Sequence, residues 1–311
     1  MIQHLELSAP VSDSGKRLDA WLAGNIPSST RALCRDAILA GLVSVNGKPC
    51  RNKGLKLSGG ERIEIDSFPE TSDIRVRPDP SVPVKILFED HALIAACKPA
   101  GIPVQPLSRT ETGTLMNGMV HRYPDLAGIG DSPLMAGALH RIDTETSGLV
   151  LAARTQSAFE AIRAQFKQRT FTKTYYALVE GHVAVPGSIR HHLAHDPTVP
   201  YCRMVDAETL NDPDLRMEAE TVYEPEQWIG KWSLLKVTIK TGVTHQIRCQ
   251  LALAGFPIVG DSLYGGTARI DTPRHFLHAF AVDFLHPESK TPCRIEAPLT
   301  PDFRELIEPQ I

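Results

Sequence analysis

Residues 137–151 read GALHRIDTETSGLVL. One carboxylate, Asp143, follows the basic pair His140–Arg141, and a hydroxyl-rich Thr144-Glu145-Thr146-Ser147-Gly148 turn leads into the apolar run Leu149-Val150-Leu151. Such a run after a turn reads as a buried strand, so Asp143 sits on a loop that a rigid scaffold can hold. A lone Asp in a turn usually caps nearby amides. An Asp within this basic, hydroxyl-rich string is instead a candidate for chemistry. A protein-kinase catalytic loop is excluded. There the Asp directly follows Arg, an Asn comes five residues later, and a Gly-rich loop lies upstream. Here Ile142 intervenes, the fifth position after Asp143 is Gly148, and no such loop exists.

The chain has 311 residues, room for two domains and a sizeable core. Its 42% hydrophobic and 22% charged residues describe a globular protein, neither disordered nor membrane-embedded. No apolar run approaches the roughly 18 residues that suggest a membrane span. The start, MIQHLELSAPVSDSG, lacks a basic region followed by an apolar stretch, so no signal peptide is expected. Six scattered cysteines (34, 50, 97, 202, 249, 293), with no Cys-x-x-Cys pair, read as reduced thiols of a cytoplasmic protein and not as a zinc site. The net charge is −3, yet residues 16–62 carry nine Lys or Arg against three acids, a local +6 that leaves −9 elsewhere. Surface charges act over about 8 Å, so the N-terminal segment is the expected anchor for a polyanion.

Residues 14–66 read as a helix-helix-hairpin unit within an N-terminal domain of residues 1–66. Leu18, Trp21 and Leu22 recur at helical spacing. Pro27-Ser28-Ser29 offers a cap for a second helix ending near Gly41, with Leu33, Ala37 and Ile38 on its apolar face. Arg31 and Arg35, four apart, share a neighbouring face. Leu42–Lys48 alternates into an Asn46-Gly47 turn, a strong hairpin signal, and Arg62–Ile65 is a further strand. Residues 67–85, with Pro69, Pro78, Pro80 and Pro83, have the composition of a stiff linker belonging to neither core.

Residues 86–311 mix strands and helices, as in an α+β domain around a large sheet. Strands are expected at residues 86–88, 93–97, 149–153, 173–180 and 232–240. Residues 155–168 read as a helix with Ser157 and Glu160 at capping-box spacing. Residues 244–254 read as a helix with Ile247, Leu251 and Ala254 inward and His245 and Arg248 on the other side, closed by Gly255. His191-His192-x-x-His195 could set two imidazoles a helical turn apart, but nearby prolines and the lack of a patterned carboxylate favour a solvated loop over a metal site. Tyr175 and Tyr176 alternate across a strand, and an isolated strand Tyr usually packs in a core.

Taken in order, these segments resemble the RluA-type RNA pseudouridine synthases. HRIDTETSG is similar to that family's catalytic motif. Lys98–Pro106 is similar to KPAGxxVxP, Lys173–Val179 to KxYxALV, and Thr241–Gly265 to TGRTHQIRVHLAxxGxPIxGDxxYG, and FLHAFAVDFLHP matches as well. The segment GKRLDAWL, SSTR, VSVNGK and GGERIEI resembles the alpha-L RNA-binding motif shared with ribosomal small-subunit protein four. The resemblance implies a large mixed, mainly antiparallel synthase sheet flanked by helices, preceded by a small RNA-binding domain. It implies catalytic roles for Asp143, Tyr175 and Arg248, and RNA contacts for His140, Arg141 and His245. In the N-terminal motif it implies phosphate contacts for Arg31, Arg35 and Lys53, with Lys48 and Arg51 weaker candidates. Val243 departs from the family's Arg, Cys249-Gln250 from Val-His, and Gln105 from a common His.

The implied reaction breaks the bond between uracil and ribose, rotates the base and rejoins it through carbon. It needs neither metal nor cofactor, in keeping with a sequence that lacks a P-loop, a dinucleotide fingerprint and zinc spacing. A carboxylate among RNA phosphates would hold its proton, and an adjacent Arg248 opposes this. Whether Asp143 attacks ribose or base, or abstracts a proton, stays open here. The target uridine must leave its stack; Arg141 is a candidate to fill the gap, and Tyr175 to stack on the base or assist removal of the ring proton. The expected partner is RNA, large-subunit ribosomal RNA first and transfer RNA second, with no membrane, and the expected state a monomer. Val243 keeps open an inactive RNA-binding or ribosome-assembly protein on the same fold. A glycosidase would need a second positioned carboxylate, and Glu145 is the only near candidate.

Overall fold

The computed structural model describes residues 2–27, 29–68, 75–199, 203–210, 212–267 and 274–308, and divides into units Met1–Arg75 and Val76–Ile311. Ser28, Pro69 and Cys202 lie outside the described residues.

In the first unit, β1 (Ile2–Ser8) precedes α1 (Leu18–Asn25), α2 (Arg31–Ala40), β2 (Val43–Val45), β3 (Lys48–Cys50) and β4 (Arg62–Phe68). The strands pair antiparallel in the order β1-β4-β2-β3. Asn46 and Gly47 take φ of 51° and 74°, the left-handed pair that a two-residue hairpin turn demands. The cap of α2 is Thr30, one residue beyond the expected signal: its hydroxyl accepts the Leu33 N–H at 3.3 Å. The helix closes on Gly41 in the left-handed region (φ 77°). Strand β1 is an addition to the unit expected over residues 14–66. Leu5 and Leu7 of β1 alternate with polar residues and pack on a core of Leu18, Trp21, Leu22, Leu33, Ile38 and Ile63.

The second unit begins with β5 (Lys85–Glu89), β6 (Leu93–Lys98), α3 (Leu115–Arg122), β7 (Ser147–Ala153) and α4 (Gln156–Lys167). There follow β8 (Thr172–Glu180), β9 (Gly187–His195), β10 (Met204–Asp206), β11 (Met217–Ile229) and β12 (Trp232–Ile239). Helix α5 (Gln246–Leu253), β13 (Leu277–Leu285), β14 (Pro292–Glu296) and α6 (Pro301–Ile307) complete it. One ten-stranded sheet runs β10-β9-β11-β12-β8-β13-β7-β6-β5, with β14 beside β13. Every pairing is antiparallel except β13 with β7. Strand β7 is buried along its whole length, as its unbroken apolar run requires. Its Val150 and Ala152 join a core with Leu115, Met116 and Met119 of α3. Leu149 and Leu151 face Phe159 and Ile162 of α4, with Phe171 and Phe284. Asp143 is therefore rooted in a strand clamped from both sides.

Four expectations need correction. The segment 67–85 is not a linker free of both cores. Phe68 is fully buried in the first unit, and Val76 and Val82 are buried in the second. Arg77 accepts a hydrogen bond from Asn117 Nδ2 at 2.7 Å, and Val82 and Val84 lie over Gly118, where a Cβ would collide with them. The valines between the prolines thus strap α3. Helix α4 is capped by Thr155, whose hydroxyl accepts the Ala158 N–H at 3.1 Å, not by a Ser157–Glu160 box; the strand ends early enough for the preceding Thr to take the role. Residues 187–195 form β9 instead of a loop, and His191 and His192 point to opposite faces of it. Helix α5 starts two residues later than expected and is buried through Gln246–Leu251, because it lies inside the fold and not on its surface.

Candidate active site

The turn that carries Asp143 is held by four side-chain anchors. Lys98, at the end of β6, is fully buried and its ammonium donates to the carbonyls of Pro99, Ile102 and Thr144 at 2.7–2.8 Å. Burial draws its pKa down to about 7, while three carbonyl acceptors favour the charged form. Thr146 Oγ1 meets His275 Nε2 at 2.7 Å, and Ser147 Oγ meets His278 Nδ1 at 2.9 Å. His140 Nε2 accepts the Leu151 N–H at 3.1 Å, which ties the start of the loop to β7. Gly148 (φ 116°) has no room for a Cβ, which would collide with the Ala279 backbone where β13 runs parallel to β7. The Thr-Ser-Gly part of the motif is thus structural support, and Asp143 is the residue it presents.

Arg248 of α5 reaches Asp143 across 105 residues of sequence, Nη1 to Oδ2 at 2.8 Å. Its other nitrogens pair with Asp261, Nε to Oδ2 at 2.7 Å and Nη2 to Oδ1 at 2.9 Å. His245, just before α5, adopts a left-handed conformation (φ 49°) that turns its Nε2 to within 3.8 Å of Asp143 Oδ2. Tyr264 Oη accepts the Met204 N–H at 2.7 Å and lies 3.1 Å from His245 Nδ1. The phenol proton is then free for Nδ1, which leaves the imidazole N–H on Nε2, facing the carboxylate. Burial would raise the Asp143 pKa, but the charges of His245 and Arg248 outweigh it and hold the carboxyl below its ordinary range. Burial lowers the His245 pKa, so at neutral pH Arg248 is the standing counter-charge.

Tyr175 is 6% exposed on β8, and burial together with the Asp143 charge raises its pKa, so the phenol is neutral. It lines a small pocket with Asp143, Ile142, Lys173 and Arg248. A groove of about 820 Å³ opens beside it, lined by Arg141, Asp143, Arg163, Arg169, Lys173 and Lys240. Asp143 and Arg141 border both spaces. The site thus joins one ionised carboxylate, one neutral phenol and a basic approach, with Val243 at its edge. The Val243 side chain packs partly against the cluster of Leu193 and Met204 and takes no part in the Asp143 network.

Of the expected site residues, Asp143, Tyr175, Arg248, His245, His140 and Arg141 meet at this place. Arg31, Arg35 and Lys53 lie in the first unit with exposed side chains; Arg31 Nε pairs with the buried Asp19 at 3.1 Å. Asp261, Tyr264, Lys98 and His275 were not singled out by sequence reasoning. Asp261 does stand in the VGDSLYG string 13 residues after Arg248, but nothing in that spacing marks it as the partner of an Arg. Among the described residues no group of three or more His, Cys, Asp or Glu is placed to hold a metal ion, and no helix is long and apolar enough to cross a membrane.

The family model for RNA pseudouridylate synthases matches residues 92–253, more than half of the chain and the whole of the Asp143 loop. The chain belongs to that family. A model of the S4 domain matches residues 16–63 of this pseudouridine synthase. Among its relatives, an uncharacterized RNA pseudouridine synthase of Synechocystis sp. is 33% identical, over 94% of this chain and 88% of that one. The ribosomal large subunit pseudouridine synthase D of Escherichia coli strain K12 is also 33% identical, over 99% of this chain and 95% of its own. The solved human RNA pseudouridylate synthase domain containing 1 shares the fold, with a TM-score of 0.58 and 24% identity over 73% of this chain and 89% of that one. The S4 domain and the synthase sheet are the two parts that the motifs implied, and the chain is an RNA pseudouridine synthase.

Proposed function

We propose that this synthase isomerises uridines of large-subunit ribosomal RNA, with Asp143 as the reacting carboxylate. The observation that carries the reading is the Asp143–Arg248 contact of 2.8 Å at the junction of pocket and basic groove. Arg248 keeps the carboxylate ionised where RNA phosphates would otherwise favour its protonated form. The extruded base rests on Tyr175, and Arg141, exposed and two residues before Asp143, enters the space it leaves. His140 acts through the loop it anchors, and His245 turns its Nε2 to Asp143. In the S4 domain, Arg31, Arg35 and Lys53 grip phosphates. The expected state of the working protein is a monomer. The choice of ribosomal RNA over transfer RNA rests on likeness to the synthases named for the large subunit, at 33% identity over nearly full length. Pseudouridine maps of cellular RNA with and without the gene test it: loss of sites confined to large-subunit RNA is expected, and loss confined to transfer RNA would overturn the assignment.

A further inference from the structure

Among the described residues, Lys173 is a cation without a counter-ion. It is 7% exposed at the start of β8, yet among the described residues its ammonium has neither a hydrogen bond nor an ion pair. Two of its neighbours are an aromatic ring and a glycine. Nζ stands 5.8 Å from the Phe166 ring centroid and close to Gly242, which has no side chain to obstruct it. Burial lowers its pKa to about 8 and nothing offsets that shift. Placing an uncompensated ammonium in a fold is costly, and apolar residues of similar volume usually do better there. Lys98, also buried, has three carbonyls; among the described residues Lys173 has none. What it does have is position. It borders both the groove and the small pocket of Asp143, and it lies two residues before Tyr175 on the same face of β8. The Cα atoms of Lys173 and Tyr175 are therefore about 7 Å apart, with both side chains on one side of the strand.

We propose that Lys173 is a catalytic residue whose ammonium binds the uracil oxygens and stabilises the negative charge they take up when the base leaves the ribose. This rests on the reading of Asp143 and Tyr175 as the seat of the extruded uridine. When the C1′–N1 bond breaks, its electron pair stays on N1 and spreads to O2 and O4. The rotated base then bonds C1′ through C5, C5 releases its proton, and N1 takes one up, so the product is an isomer and no co-reactant is consumed. Lys173 changes no covalent bond. A fixed cation beside O2 or O4 interacts more strongly with the detached base than with the neutral uridine, which is the condition for accelerating the step. Backbone phosphates have other partners in Arg141, Arg163, Arg169 and Lys240 along the groove.

The test uses the full chain in excess over total RNA from cells lacking this gene, labelled with carbon-five-tritiated uridine. Lys173→Met should release tritium roughly 100-fold more slowly at saturating protein, with the half-saturating concentration within about three-fold of the parent. Because an unpaired buried charge is removed, its melting temperature should equal or exceed the parent's. Lys173→Arg, which restores a cation, should recover part of the rate. An unchanged limiting rate with weaker half-saturation would overturn the proposal and put Lys173 on a phosphate. A slow variant that also melts earlier, with no recovery in the Arg variant, would overturn it in favour of a packing role. A parent that releases no tritium would instead sink the assignment of the site itself, and the inference with it.

Discussion

Arg248 lays two parallel hydrogen bonds on Asp261, at 2.7 and 2.9 Å, and both side chains are buried. A planar guanidinium fixed at two nitrogens has its third pointing in one direction, and here that direction is Asp143. Asp261→Asn keeps the shape and removes the charge. It should cost about 3 kcal/mol or more, the usual penalty for taking one partner from a buried pair. Urea unfolding would show this as a lowered midpoint; a loss below about 1 kcal/mol would mean that the pair does not hold Arg248.

Asp143→Asn should abolish isomerisation while leaving RNA affinity within a few-fold of the parent. The loop around Asp143 is anchored by Lys98, Thr146, Ser147 and His140, none of which the substitution touches. Release of tritium from carbon-five-labelled RNA reports turnover. Appreciable release by the Asn variant would remove Asp143 from the chemistry.

Arg248→Met should slow the reaction and move its acidic limb to higher pH. The sign follows from Asp143, whose carboxyl is held below its ordinary range by neighbouring charges against the effect of burial. Activity requires the ionised form, so it fades as the pH falls through that pKa. Without Arg248 the effect of burial stands with only the two histidines His245 and His275 opposed to it, and the limb should rise by about 1–3 units. A profile that drops evenly, with the limb in place, would make Arg248 a structural residue only.

The buried histidine below the catalytic turn predicts acid sensitivity. His275 is 4% exposed and burial lowers its pKa to about 4, against about 6.5 in an unfolded chain. Between those values the unfolded state binds the extra proton. The stability that His275 contributes is thus complete above about pH 6.5 and fades as the pH falls towards 4, by about 2–3 kcal/mol at pH 4.5. His275→Gln can keep a hydrogen bond to Thr146 but cannot titrate. Comparing urea midpoints at pH 7 and 4.5, the variant should lose less than the parent; equal losses would assign the acid sensitivity to other groups such as His140 and His278.

The parts legible in the sequence were those with a strong local signal. The apolar run after Gly148 could only be a buried strand, and Asn46-Gly47 could only turn tightly. Strand β1 is short-range ambiguous: its alternation becomes meaningful only beside β4, 60 residues away in register (Leu5 with Ile65). The strap over α3 reads as linker because its prolines are local, while its valines act at a distance through Gly118. The pairing of Asp143 with Arg248 has no periodic or spacing signature, and resemblance to a family supplied it. Asp261, Tyr264 and the unpaired Lys173 needed the fold, since a partner, or the lack of one, is a property of three-dimensional neighbours.

The S4 domain offers the last prediction. Arg31 and Arg35 are exposed on α2, and Arg31 is oriented by its contact with the buried Asp19, itself held by Arg17 at 3.0 Å. Two guanidiniums share the buried Asp19, and their hydrogen bonds and charges hold its pKa down at about 2 against the effect of burial. The cluster thus keeps a net positive face at any pH at which RNA is bound. Single-stranded phosphates release ions with a slope of about −0.7 each, and duplex phosphates about −0.9. Arg31→Ala with Arg35→Ala should therefore weaken RNA binding and flatten its salt dependence by roughly one unit or more. Turnover at saturating RNA should change little, with the loss falling on KM. Affinity and rate at several salt concentrations decide it. An unchanged slope would mean that these arginines do not touch phosphate, and a collapse of saturated turnover would mean that the S4 domain helps to shape the active site.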